Sequence, residues 1–204
     1  MNSVSIGGSI YAGSDTLTAS AAISANLDIG SLTVKGGLIG NHNEHVTISA
    51  IGPASPGVTD IAMGAITIGG RVDYTDILAG YGITRVAANG DAQVGTVKVG
   101  GNWSASNLIV GAQNIPSINI KFGDANDTLI PGGSPGILAS VASIISSGHV
   151  YGTSNDLFAV DHFGFVAELF SFFSAGGVVY ANNPPAHAES LSLVPTHDVT
   201  LHEI

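Results

Sequence analysis

A short phrase that occurs four times constrains this chain more than any other feature. In each copy a strand-like apolar segment ends at two adjacent glycines, and the copies lie at residues 4–8, 32–37, 66–70 and 97–101. The glycine pairs are 29, 33 and 31 residues apart. A period of about 30 residues built on a strand and a glycine corner is typical of a solenoid, in which each repeat forms one turn and stacks on the next.

Each repeat contains three strand-like segments. In the second repeat, residues 31–35 place Leu32 and Val34 on one face, residues 38–40 form a short second segment, and residues 45–51 form a third. Alternation with a period of two indicates strands rather than helices. β-branched residues dominate these segments, as a pleated surface prefers.

Three strands per turn predict an all-β fold, a right-handed parallel β-helix with three sides. The third strands of the next two repeats are predicted at residues 83–87 and 118–120. Inward side chains are expected to stack in apolar columns, with each turn adding about 4.8 Å along the axis. The paired glycines are expected to turn the corners through positive φ angles, where a Cβ atom would clash.

The composition changes after about residue 123. Residues 1–123 are interpreted as β-helix repeats, and residues 124–204 as the last turns and an aromatic-rich C-terminal cap of the same continuous solenoid. Six of the seven phenylalanines fall within residues 158–173, and repeat proteins require such a cap. The chain opens within a repeat and shows no matching change at its start. We therefore keep open whether it is a fragment of a longer protein or has its first turn covered by another chain.

The charge of the chain excludes several classes of partner. It carries 15 acidic and 5 basic residues, a net charge of −10, and the basic residues are scattered along the sequence. Nucleic acids and anionic membranes are therefore not expected as partners. No apolar stretch is long enough to cross a bilayer, so membrane insertion is not expected either. The absence of cysteine does not indicate a compartment.

Several lines of the sequence resemble a known group of proteins. Residues 29–40 and 94–103 are similar to the repeat units of very large secreted or surface proteins of planctomycete-type bacteria. The closing motifs that extend this resemblance lie at residues 122–128, 141–145, 161–167 and 198–204. The resemblance implies a β-solenoid fold and an extracellular or cell-surface location, and it implies no catalytic residues.

One acidic segment is a candidate ion site. Residues 122–129 resemble half of a calcium-binding nonapeptide, with Asp124, Asn126 and Asp127 as candidate calcium ligands. Calcium prefers six to eight oxygen ligands. The alternative is an Asx turn, in which Asp124 and Asn126 bond their own backbone. No cofactor other than calcium is predicted.

Aromatic residues on different turns form a second candidate site. Trp103, Tyr74 and Tyr81 would line a groove for a carbohydrate if they stacked on one face of the solenoid. The alternative is half-buried packing, because large aromatic rings contribute strongly to cores.

A polar corner and several acidic residues offer side chains that could bind a metal or take part in catalysis. His42, Glu44 and His45 offer metal ligands from one corner, although neighbours on a strand point to opposite faces and a solvated corner is the alternative. Asp73 and Asp76 are three residues apart, so on one strand they would not face one cleft as a hydrolase requires. Acid–histidine pairs occur towards the C-terminus, but no G-x-S-x-G elbow accompanies them. The pairs are Asp161-His162, His197-Asp198 and His202-Glu203. Asp156 and Asp161 are a second candidate carboxylate pair, which only the folding of a loop would bring together.

The sequence therefore predicts a non-enzymatic, extracellular structural or adhesive β-solenoid module, a rigid component of a surface or matrix. One alternative is a carbohydrate-binding or carbohydrate-cleaving β-helix. The other is a filament subunit that associates end to end through its bare first turn. Carbohydrates and other surface proteins are the expected partners. A cleft bordered by long loops, with two carboxylates on one face, favours the carbohydrate alternative, whereas a smooth prism favours a structural role.

Overall fold

The computed structural model describes residues 1–13, 21–53, 59–115, 121–153, 162–181, 190–193, 196 and 198–204. Every regular element in these ranges is a β-strand, so the prediction of an all-β chain is confirmed. The described residues contain no helix of the length and apolar character that crossing a bilayer requires. The strands are, in chain order, β1 (Val4–Ile6), β2 (Ile10–Tyr11), β3 (Ala21–Ala25), β4 (Ile29–Val34), β5 (Leu38–Ile39), β6 (Val46–Ala50), β7 (Ile61–Ile68), β8 (Val72–Asp73), β9 (Thr75–Ala79), β10 (Gln93–Val99), β11 (Trp103–Ser104), β12 (Asn107–Val110), β13 (Ala112–Asn114), β14 (Asp127–Leu129), β15 (Ser140–Ser146), β16 (Val150–Tyr151), β17 (Phe163–Ala167), β18 (Leu169–Phe170), β19 (Phe173–Ala175), β20 (Val178–Ala181), β21 (Ser190–Leu193) and β22 (Val199–Glu203).

Three sheets, named here in the order in which the chain reaches them, contain most of these strands. Sheet 1 runs β1-β4-β7-β10-β15-β19, sheet 2 runs β2-β5-β8-β11-β16, and sheet 3 runs β3-β6-β9-β12-β17-β22. All of these neighbours pair in parallel. Each of the first five repeats thus places one strand in each sheet, and β19 and β22 add a further strand to sheets 1 and 3. Strands on both sides of residue 123 belong to the same sheets.

The register of each sheet stacks apolar side chains above one another, because the repeats align strand by strand. These columns form most of one hydrophobic core. The column of sheet 1 consists of Val4, Leu32, Ile66, Val97, Ile144 and Phe173. The column of sheet 2 consists of Ile10, Leu38, Val72, Trp103 and Val150. The column of sheet 3 consists of Ile23, Ile48, Ile77, Leu108, Phe165 and Leu201.

The corner between sheets 1 and 2 is a column of glycines joined by hydrogen bonds. Gly36 N donates to Gly8 O at 2.9 Å, Gly70 N to Gly36 O at 2.9 Å, and Gly101 N to Gly70 O at 2.9 Å. The expectation of positive φ angles at these glycines is wrong, since none of them lies in the left-handed region. Close stacking is the reason for glycine here: a Cβ atom on Gly101 would lie 2.9 Å from Arg71 N of the preceding turn.

One predicted strand is misplaced. The third strand of the third repeat is β9, directly after the corner at Tyr74, whereas residues 83–87 form a turn. Gly82 N donates to Val86 O at 3.2 Å, and Arg85 N donates to Gly82 O at 2.9 Å. The other predicted third strand, at residues 118–120, lies outside the described residues.

Sheet 3 is buried on both faces over much of its area. Two long excursions of the chain, after β9 and after β12, pack against its outer face. They create a second apolar cluster outside the main core, formed by Leu78, Tyr81, Ile109, Ala112, Ile130 and Val166. The second excursion includes the antiparallel hairpin of β13 and β14. These excursions determine where the surface remains open.

Aromatic rings replace aliphatic side chains towards the C-terminal end of the core. The ring of Phe165 lies 4.9 Å from that of Trp103 and 4.8 Å from that of Phe173. Tyr180 continues the series at 5.8 Å from Phe173. Two strands at this end reverse direction, since β20 pairs antiparallel with β19 and β21 pairs antiparallel with β22.

Candidate binding cleft

A cleft of about 590 Å³ opens on the outer face of sheet 3. We call it the sheet 3 cleft. One wall is the polar corner at residues 42–45, and the opposite wall is the first excursion, through Tyr81, Ile83 and Arg85. The floor is the sheet itself.

The floor of the cleft is a column of polar side chains from three successive turns. Thr47 on β6 pairs with Asp76 on β9, which pairs with Asn107 on β12. On β6, Thr47 lies between Val46 and Ile48, whose side chains point into the main core. Alternation along the strand therefore directs Thr47, and the residues in register with it, outwards. The three side chains therefore follow one another at the spacing of the strands, about 4.8 Å.

Asp76 is held by hydrogen bonds on both of its carboxylate oxygens. Asn107 Nδ2 donates to Oδ1 at 2.8 Å, and His45 Nδ1 lies 3.1 Å from Oδ2. Asn107 is itself fixed, because its Oδ1 accepts from Gly164 N at 2.9 Å. Burial on its own raises the pKa of Asp76, but the hydrogen bonds from His45 and Asn107 and the nearby positive charge of Arg85 outweigh it, so the pKa lies below its ordinary value. Asp76 is consequently an ionised acceptor at neutral pH.

Arg85 reaches across the cleft from the turn at residues 83–87. Its backbone has a φ of 58°, in the left-handed region that residues with a Cβ atom rarely adopt. Its guanidinium donates to Thr47 Oγ1 on the floor. The turn also leaves the side chain of Ile83 68% exposed at the rim. The loop is thus tied to the sheet by a cationic side chain.

Tyr81 contributes an apolar wall that is also part of the second cluster. Its hydroxyl donates to Ala112 O at 2.6 Å, and its side chain is almost fully buried. Burial raises the pKa of the Tyr81 hydroxyl, and the negative charge of Asp127 raises it further. Tyr81 therefore remains a neutral hydrogen-bond donor.

The three aromatic residues predicted to bind a ligand do not form one platform. Trp103 is completely buried in the main core, where its Nε1 donates to Ser106 O at 3.0 Å. Tyr74 lies at the corner between sheets 2 and 3, with its ring 5.8 Å from that of His45. Of the three, only Tyr81 lines the sheet 3 cleft. For Trp103 the expectation is corrected, because its register in β11, between Val72 and Val150, directs its ring into the core.

The predicted calcium ligands lie in a tightly bonded turn. Asp124 Oδ1 accepts from Asn126 N at 3.0 Å, which is the Asx turn set as the alternative. Asp127 Oδ2 accepts from Gly123 N at 2.6 Å and lies 3.3 Å from His202 Nδ1. Within the described ranges, no three His, Asp or Glu side chains are grouped so that they could hold a metal ion. His42, Glu44 and His45 at the polar corner likewise form no such group, and His45 turns towards Asp76.

The acid–histidine pairs are separated by the fold or bond the backbone. Asp156, Asp161 and His197 lie outside the described residues. His162 Nδ1 lies 2.8 Å from Phe122 O, and Glu203 Oε1 accepts from Phe170 N at 2.8 Å. Asp198 Oδ2 accepts from the backbone N of Thr153 at 2.7 Å and from Thr153 Oγ1 at 3.2 Å.

Asp73 and Asp76 do face different ways, but for another reason than the one expected. They lie on different strands, β8 and β9, on the two sides of the corner at Tyr74. Asp73 forms an ion pair with Arg71. Glu44 rather than Asp73 is the second carboxylate in the lining of the cleft.

Sequence reasoning missed Asn107, Arg85 and Thr47. A signal for part of the site was present, because His45, Asp76 and Asn107 follow one another at separations of 31 residues, one repeat apart. No comparable signal marks Arg85, which belongs to an excursion outside the repeat.

Comparison of the chain with known protein families, characterised proteins and solved structures finds no match. The functional interpretation therefore rests on the geometry of the cleft and of the three sheets.

Proposed function

We propose that the chain is a right-handed, three-sided parallel β-helix that serves as a non-enzymatic structural or adhesive module at an extracellular or cell-surface location. The recurrence of sheets 1, 2 and 3 in five successive repeats supports three sides. Right-handedness follows from the strong preference of crossover connections between parallel strands. The aromatic series and the antiparallel strands at the C-terminal end support a cap.

The observation that carries this proposal is the unbroken stacking of the turns. The glycine column joins successive corners through backbone hydrogen bonds, and the apolar columns continue through the three sheets. Each inner turn is bonded on both sides, so a local deformation disturbs its neighbours. Such a stack holds attached surfaces at a fixed spacing, which suits a matrix or adhesive component.

The proposal is tested by location and by activity. Antibodies raised against the purified chain should label intact, unpermeabilised cells of the source organism. The chain should also release no reducing ends from a panel of neutral and acidic polysaccharides. Labelling that appears only after permeabilisation, or turnover that the Asp76→Asn variant loses, would contradict a structural role at the surface.

The sheet 3 cleft favours a second candidate function, carbohydrate binding or cleavage. The cleft is bordered by a long loop and has two carboxylates, Glu44 and Asp76, in its lining. Cleavage requires a carboxylic acid whose pKa is raised so that it can donate a proton. The pKa of Asp76 is lowered instead. Asp76 therefore does not suit the role of that acid.

The first turn favours the filament alternative. In the described part of the chain, β1, β2 and β3 are each paired along one edge only. The side chains of Val4, Ile10 and Ile23 pack against the core but remain half-buried. Unpaired strand edges invite pairing with another chain. Size-exclusion chromatography at several concentrations should reveal such association, and a monomer at all of them would remove this alternative.

A further inference from the structure

We propose that the sheet 3 cleft binds a neutral saccharide, with Asp76 and His45 accepting and Arg85 donating hydrogen bonds to its hydroxyl groups. This inference rests on the proposed function, because it names the ligand through which an adhesive module would attach.

The size of the cleft suits a small carbohydrate. Its volume of about 590 Å³ lies within the range of roughly 300–1,000 Å³ that is typical of small-molecule sites. The floor from Thr47 to Asn107 spans three turns, a length of about 10 Å at the strand spacing.

The polar groups of the cleft are held in place before any ligand arrives. Asp76 is bonded by His45 and Asn107, and Asn107 is anchored on Gly164 N. Arg85 is tied to Thr47. Since these side chains already have fixed positions, little conformational entropy is lost when they bind a ligand.

The cleft presents donors and acceptors side by side. A guanidinium has five N–H donors, and the bond to Thr47 accounts for one donor of Arg85. Each oxygen of an ionised carboxylate accepts about two hydrogen bonds, and each oxygen of Asp76 has one such partner. His45 Nδ1 donates to the carboxylate of Asp76, which leaves Nε2 of that tautomer as an acceptor. A hydroxyl group both donates and accepts, so neighbouring sugar hydroxyls match this arrangement.

The charges favour a neutral sugar over an acidic one. The positive charge of Arg85 is balanced by the carboxylate of Asp76, whose pKa it helps to lower. The chain as a whole carries a net charge of −10 and would repel polyuronates. Leu78, Ile83 and Phe122 supply apolar surface in the lining, which fits the C–H faces of a sugar ring.

The test uses isothermal titration calorimetry and ¹H–¹⁵N NMR on the full chain. The probes are cellotriose, maltotriose, mannotriose and N,N′-diacetylchitobiose, with trigalacturonate as the acidic comparison. At least one neutral probe should bind and shift resonances of the cleft. Asp76→Asn and Arg85→Ala should each weaken that binding about 10-fold or more, as expected for losing a hydrogen bond to a charged group.

Matched controls lie on other faces of the chain. Asp73→Asn changes a carboxylate on sheet 2, and Lys98→Ala removes an exposed cation on sheet 1. Both should leave binding unchanged. Arg85 is exposed, so Arg85→Ala keeps the test valid even if Asp76→Asn unfolds.

Three results would overturn the inference: no neutral probe shifts the cleft resonances, the shifts map to another face, or trigalacturonate binds more tightly. If the chain keeps an all-β circular dichroism spectrum and cooperative unfolding while binding no sugar, the saccharide inference fails and the structural proposal stands. Loss of the β spectrum in the wild-type chain would remove both.

Discussion

An alanine placed in the glycine column provides a direct measure of how closely the turns stack. In Gly101→Ala, the added Cβ atom would lie 2.9 Å from Arg71 N, 3.0 Å from Arg71 Cα and 3.0 Å from Gly70 C. All three are backbone atoms of the preceding turn, so no side chain can swing away to relieve the overlap. Gly8→Ala makes the same change in the first turn, where a Cβ atom would meet nothing within 4 Å.

The structure sets the expected difference between these two variants. Overpacking that forces backbone shifts typically costs about 1–3 kcal/mol. Replacing glycine by alanine also reduces the entropy of the unfolded chain, but this gain is similar at both positions and cancels in the comparison. Gly101→Ala should therefore be about 1–3 kcal/mol less stable than Gly8→Ala. For a chain of this length the difference corresponds to roughly 2–12 °C in Tm.

The measurement is thermal and urea unfolding of both variants and the wild type, followed by circular dichroism. Gly8→Ala should lie within about 0.5 kcal/mol of the wild type, as changes at open surface positions usually do. If the two variants unfold at the same midpoint, the turns do not approach each other at the glycines as described, and the reasoning about the corner is refuted.

Four further predictions concern individual side chains. Asp76→Asn should destabilise the chain by about 1–3 kcal/mol at pH 7. Because the folded-state pKa of Asp76 is lowered, its contribution is present above the unfolded pKa and lost as the pH falls through the folded value, so this deficit should vanish in acid. Asp60 is buried and its pKa is raised, first by burial and also by Asp91, so its contribution is present in acid and lost as the pH rises. The stability of Asp60→Asn relative to the wild type should accordingly increase with pH, whereas that of Asp76→Asn should decrease. Profiles that run in the same direction for both variants would contradict at least one of the two assignments. Tyr81→Phe removes the hydroxyl that donates to Ala112 O and should cost about 1 kcal/mol in urea unfolding without changing the β spectrum; an unchanged midpoint would exclude that bond. Millimolar calcium should leave Tm unchanged, since an oxygen of Asp124 is engaged in an Asx turn, whereas a rise that a chelator reverses would restore the ion site.

The sequence alone predicted the all-β class and, in four repeats, the first strand, which ends at a glycine pair. The inward positions Leu32, Ile66 and Val97 were readable because alternation along a strand is local, and they align in one register. The glycine pairs were also readable as corners, although the reason for glycine is the approach of the next turn rather than a positive φ angle. That approach is a property of stacked turns and cannot be seen in one repeat.

The surface of the protein was decided by tertiary structure. Ile83 and Val86 belong to a segment rich in β-branched residues that predicts a strand, yet they are 68% and 62% exposed in a turn, because β9 already occupies the third position of that repeat. Trp103 was a plausible sugar platform, but its register between Val72 and Val150 in sheet 2 directs it into the core. Arg85 reaches the floor of the cleft only because the excursion after β9 folds back over sheet 3. Local periodicity determines which residues stack inside, whereas the paths of irregular loops depend on long-range packing, and those paths place the candidate site.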